Sequence, residues 1–114
     1  MLSHAASTMA LKAAENAMEQ SRKVPFHLIA RGVWSIPEIE AVGLSEYEAE
    51  EKGYDVQVGD FPYAINGAAM AVNKMRGAVK IVSESKLGEI LGVHIVGADA
   101  TELIGEAALA MQLE

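Results

Sequence analysis

Hydrophobic positions along this chain recur with several spacings, and each spacing predicts an element. Leu2 to about Gln20 is alanine-rich and carries Met9, Leu11 and Met18. Alanine has the best intrinsic helix propensity, so this stretch predicts a helix. Ser3 or Ser7 suits its start, Arg22 and Lys23 suit the negative end of its dipole, and Pro25 stops it. His27 to Ser35 is apolar, contains Val33 and Trp34 and is closed by Pro37, which predicts a strand. Ser45 with Glu48 three positions on forms a capping box, and Gly53 supplies the stop for a short, exposed, acidic helix. From Tyr54 to Tyr63 the spacing changes to two: Val56 and Val58 face one way, Gln57 and Gly59 the other.

Ala64 to Met75 has no clear period; Asn66-Gly67 within it fits a hairpin turn, although its flanks are less regular than a two-residue turn requires. Ala78–Ser83 and Glu89–Val96 are apolar at nearly every position, which predicts two central strands with both sheet faces covered. Ser85 to Gly88 joins them as a four-residue loop with Gly88 at positive φ. The final helix begins at Asp99, read as its cap and answered by Glu102. Leu103, Ile104, Ala107, Ala108 and Met111 then form one apolar stripe at helical spacing. Gly105 costs about 1 kcal/mol against alanine in a helix, offset by close approach of either the sheet or another chain. The order predicts an α+β fold, an antiparallel sheet of about four to five strands flanked by helices.

Charge and composition narrow the function. Half of the residues are hydrophobic (51%) and the net charge is -7. Eight acids lie between Glu38 and Asp60 against one base, Lys52, while the remainder balances eight acids with eight bases. That argues against a nucleic-acid or anionic-membrane partner and reads as a solvated acidic surface; the spacing matches no EF-hand calcium loop. No apolar run approaches the roughly 20 residues of a membrane span, and no signal peptide is visible. There is no cysteine, hence no disulfide or thiolate chemistry in these residues, and a cytoplasmic location is expected. Leu113-Glu114 fits a tag remnant.

Candidate chemistry is sparse. His4, His27 and His94 have no metal-like spacing, and His94, inside an apolar strand, reads as a structural, hydrogen-bonded imidazole. Nucleotide-binding loops and the nucleophile elbow are absent. Glu38 and Glu40 lie two apart, with no pocket indicated for paired-carboxylate catalysis. These residues alone make no active site.

Five stretches carry a resemblance: Met1-Leu2-Ser3-His4-Ala5, Ile36 to Ser45 (Ile-Pro-Glu-Ile-Glu-Ala-Val-Gly-Leu-Ser), Phe61 to Ala71, Gly77 to Val82, and Ile90 to Ala110. In this order they resemble the end of the flavin-binding domain and the dimerisation domain of the pyridine nucleotide-disulfide oxidoreductases, dihydrolipoamide dehydrogenase above all. The resemblance implies that residues 1–24 close an FAD-binding domain, that 25–112 form the dimerisation domain, and that FAD and NAD domains with a redox-active cysteine pair precede residue 1. It implies a backbone FAD contact at Met1, Leu2, Ser3 and His4, where a helix N-terminus stabilises negative charge on the reduced flavin. It implies a homodimer with Leu103, Ile104, Ala107, Ala108 and Met111 at the interface.

The resemblance also implies a parent that oxidises a dithiol through FAD and passes the electrons to NAD. The family's catalytic histidine belongs beyond Met111, so no residue here inherits that role, and the isolated fragment is expected to be inactive and to bind no cofactor. Ala68 stands where many members have arginine. Two alternatives stay open: a free-standing interaction or ligand-binding domain, and the same family acting on mercuric ion, glutathione or in transhydrogenation.

Overall fold

The computed structural model describes residues 2–114. The elements in chain order are α1 (Ser3–Ala17), a 3₁₀ turn (Phe26–Leu28), β1 (Arg31–Val33), β2 (Glu38–Gly43), α2 (Glu46–Glu51), β3 (Val56–Pro62), a second 3₁₀ turn (Tyr63–Ile65), α3 (Gly67–Ala71), β4 (Gly77–Glu84), β5 (Ile90–Gly97) and α4 (Ala100–Leu113). The five strands form one antiparallel sheet in the order β1-β2-β5-β4-β3. The strand with the longest apolar run, β5, takes the centre, because a strand paired on both sides and packed on both faces has least use for polar side chains.

Register separates the two faces. Val42 of β2 pairs with Val93 of β5, and Val93 with Ile81 of β4, so these side chains share the face on which α4 lies. Val42, Val93, Ile95, Tyr63, Ala69, Ala100 and Ile104 make the main core there. The opposite face holds a smaller cluster of Ala49, Val82 and Leu91, covered by α2. Leu91 reaches that face through a register shift: Val82 pairs with Gly92 but Ser83 with Ile90, which leaves Leu91 as an extra residue in β5. Double coverage is therefore confined to one end of the central strands, with Ile81 41% and Val96 40% exposed.

Several expected elements shift. The predicted strand His27–Ser35 divides into a 3₁₀ turn and the three-residue β1, and β2 is an additional strand. The alternation of β2 is inverted: Glu38 and Glu40 face α4 with Val42, while Ile39 and Ala41 face the other way. Acids on the inner face hide the strand from a reading that puts apolar residues inside. The first helix ends at Ala17, and Leu2, not a serine, holds its cap position. Asn66 makes no hairpin; its side chain caps α3, accepting from Ala69 N at 3.0 Å.

Other local expectations hold. The Ser45 box is complete: Ser45 N and Oγ both donate to Glu48 Oε2 at 2.8 Å, and Glu48 N donates to Ser45 Oγ at 3.2 Å. The Ser45 donors hold the Glu48 carboxyl below its ordinary pKa. Gly53 and Gly88 take φ of 84° and 77°. The short helix α2 is less exposed than expected, because Ala49 is fully buried.

The closest backbone approach is at Gly92. Leu44 N donates to Leu91 O at 2.8 Å, and His94 Nε2 donates to Leu44 O at 3.0 Å. A Cβ on Gly92 would overlap the Leu44 carbonyl. Gly92→Ala is therefore expected to destabilise the fold by about 1–3 kcal/mol through overpacking against unyielding backbone, read from urea denaturation midpoints at unchanged m-value.

Candidate functional site

The predicted site residues fall in two places, the start of α1 and the body of α4. At α4 the local chemistry differs from expectation. Asp99 sits in the left-handed region at φ 60° and makes no cap bond; its carboxylate faces Lys74 Nζ at 3.3 Å instead. Glu38 supplies the cap from β2: Oε2 accepts from Thr101 N at 3.1 Å and from Thr101 Oγ1 at 2.9 Å. A carboxylate at the positive end of the helix satisfies an orphan amide and the dipole together. Beside it Tyr63 donates to Ala98 O at 3.2 Å, with its ring against Gly97. Burial, then the nearby Asp99 and Glu38 charges, push the Tyr63 hydroxyl pKa up.

The stripe predicted for a partner divides between inside and outside. Ile104 is 3% exposed and belongs to the core, and Ala107, Ala108 and Met111 pack against that core. Leu103 alone of the five is exposed. The outer side of α4 carries Gly105, Leu109 and Leu113 along one edge and Leu103 along the other, with the exposed Glu102 and Glu106 among them, and an added Cβ on Gly105 would meet nothing within 4 Å. The chain's own sheet is thus not what the glycine accommodates.

Two further apolar surfaces lie open. Between α4 and β3–β4 runs a groove of about 400 Å³ lined by Phe61, Val72, Val79 and Leu103 among others. On the opposite sheet face, Val33, Ile39 and Val96 stand in one cross-strand row and are each 40% exposed or more.

At the other candidate place, Met1 lies outside the described residues. Leu2 holds the cap position of α1 without a side-chain cap, Ser3 opens the helix, and no acid lies in its first turn. His4 is exposed and its Nε2 donates to Ala30 O at 2.7 Å. No residue of α1 is buried, and the radius of gyration, 15.9 Å, exceeds the roughly 13 Å of a compact chain this long.

Among the described residues no group of three or more His, Asp or Glu side chains has metal-binding geometry, and no helix is long and apolar enough to cross a membrane. His94 is hydrogen-bonded as a structural imidazole. Glu40, which the sequence did not single out beyond its spacing from Glu38, is 3% exposed. Its burial on the inner face of β2 came from register, which no local signal announces.

Comparison with known proteins agrees with this geometry. The family model described as "Pyridine nucleotide-disulphide oxidoreductase, dimerisation domain" matches residues 29–114. Dihydrolipoyl dehydrogenase of Bacillus subtilis is 38% identical over 99% of this chain and 25% of its own length. The mitochondrial dihydrolipoyl dehydrogenase of Pisum sativum is 36% identical over 100% of the chain and 23% of its own length. The chain thus spans about a quarter of the length of these curated relatives. Among solved structures, LpdA of Mycobacterium tuberculosis superposes with a TM-score of 0.78 at 27% identity, over 88% of this chain and 22% of that one. The flavoprotein disulfide reductase RclA of Escherichia coli shares the fold, with a TM-score of 0.77 at 24% identity over 89% of this chain and 24% of that one.

The cap assignment is directly testable. Glu38→Ala is expected to cost about 0.5–2 kcal/mol, the range for losing an N-terminal cap, whereas Asp99→Ala should cost distinctly less. Thermal or urea denaturation of the two variants ranks them, and the reverse ranking would restore Asp99 as the cap.

Proposed function

Because the chain belongs to the pyridine nucleotide-disulphide oxidoreductase dimerisation-domain family, we propose that it joins two copies of a dihydrolipoyl dehydrogenase-like subunit. The observation that carries this reading is the outer face of α4, where Leu109 and Leu113 lie exposed four and eight residues on from a glycine that nothing outside its own helix approaches, with Leu103 exposed at the opposite edge of that face. A helix glycine permits close approach by a second backbone, and a two-fold arrangement would use the same face twice. In this reading Ile104, Ala107, Ala108 and Met111 shape the interface from behind, by holding α4 on its sheet. The row Val33, Ile39 and Val96 faces the nucleotide-binding domains of the same subunit.

The reading extends to residues 1–24 as the end of an FAD-binding domain and 25–112 as the dimerisation domain. FAD, were it bound, would supply two-electron redox chemistry between a dithiol and NAD in the parent enzyme. The residues offered to it are Met1, Leu2, Ser3 and His4, through backbone amides. An α1 start without a side-chain cap or first-turn acid suits the anionic edge of a reduced flavin. His4, whose ring is engaged with Ala30 O, anchors that helix to the domain. No other residue of this chain is assigned a catalytic part. The names of the relatives support a dihydrolipoyl substrate for the parent enzyme.

Sedimentation equilibrium tests the interface. The chain is expected to self-associate, and Gly105→Leu to weaken association at least tenfold without loss of helix content. Gly105→Ala should raise the stability of the monomer by up to about 1 kcal/mol while still weakening the dimer. A wild-type chain that stays monomeric at high concentration, or a Gly105→Leu variant that associates like wild type, would sink the assignment.

A further inference from the structure

Glu40 is the one charged side chain buried among the described residues, and its Oε2 has no hydrogen-bond partner. It stands on the inner face of β2, paired with Gly32 of β1 and Ile95 of β5. Its carboxyl fills the space that a Cβ on Gly32 would occupy, so β1 closes directly over it. That cover is slight. β1 has three residues, and the segment entering it is tied to α1 by the bond from His4 Nε2 to Ala30 O. α1 buries nothing of its own, and the segment is otherwise held by Ala30 against the main core, by the bond from Arg31 Nη2 to Gly43 O at 2.9 Å and by the short β1–β2 ladder.

A carboxylate without a donor is poorly tolerated in an apolar setting, whereas the neutral acid is tolerated far better. Charges near Glu40 are few. From α1, His4 favours the ionised form; from its own strand, Glu38 opposes it. Gly32 of β1 and Ile95 of β5 carry no charge, and Thr101 of α4 is engaged with Glu38. We propose that Glu40 makes the seating of the α1-to-β1 segment on the sheet a proton-linked equilibrium: seated while Glu40 is protonated, loosened as it ionises. This rests on the fold alone and is independent of the dimerisation reading.

The sign follows from linkage. Burial raises the carboxyl pKa in the seated state. Such a group contributes stability that is complete below its unfolded pKa and is lost as pH rises through the raised value. Seating should therefore weaken with rising pH, in the direction opposite to that of the Glu48 cap, whose lowered pKa makes it fail as pH falls.

Hydrogen exchange of the whole 114-residue chain across mildly acidic to mildly alkaline pH reads this, after correction for intrinsic exchange rates. Protection of residues 30–33 is expected to fall by up to about tenfold per pH unit between the ordinary carboxyl pKa and the raised one, and then to level off. In Glu40→Gln that dependence should vanish, while β5 amides keep the wild-type profile in both proteins. A wild-type profile identical to that of Glu40→Gln would overturn the proposal. If Glu40→Gln does not fold, the Glu40 carboxyl carbon titrated by NMR in the wild type decides. A raised midpoint matching loss of the His4–Ala30 contact supports the proposal, and an ordinary midpoint overturns it.

Discussion

The packing of α4 across β2 and β5 is the contact on which the rest of the structure depends. Ile104 and Ala100 lie against Val42, Val93 and Ile95, and these residues form the larger of the two cores. Burying one such aliphatic side chain contributes about 1.5–3 kcal/mol, so a handful of them outweighs any polar contact in the molecule. The small residues Ala107 and Ala108 let the helix lie close to the sheet. The same packing fixes which side of α4 faces outward, and so which residues any partner would meet.

The polar contacts around that helix serve its placement. Glu38 caps α4 from a strand that precedes it by some 60 residues in sequence, which ties β2 to the helix. Tyr63 adds a second tie through Ala98 O. Lys74 and Asp99 form an exposed pair beside them, of the kind that contributes at most about 1 kcal/mol. These ties supply orientation to α4 where the apolar core supplies free energy.

Much of the fold was legible in local sequence because its signals are short-range. The Ser45–Glu48 box, the glycines at 53 and 88, the β4–β5 pair and the final helix all depend on residues within a few positions of one another. The misreadings share a different cause. β2 carries acids where apolar residues are expected, Asp99 yields its capping role to Glu38, and Asn66 caps a one-turn helix in a stretch with no period. In the first two cases a residue distant in sequence decides the outcome.

What the sequence determined by itself was the class of fold, its central strands and the family to which the chain belongs, since hydrophobic periodicity, turn residues and ordered motifs are written locally. Only the tertiary structure decided which side of α4 is spent on the core and which stays free, that the sheet leaves Val33, Ile39 and Val96 open, and that Glu40 is buried without a partner. Those outcomes depend on strand register and on the angle at which a helix crosses a sheet. A shift of one residue in register turns every side chain to the opposite face, and no local pattern specifies that choice before the chain has folded.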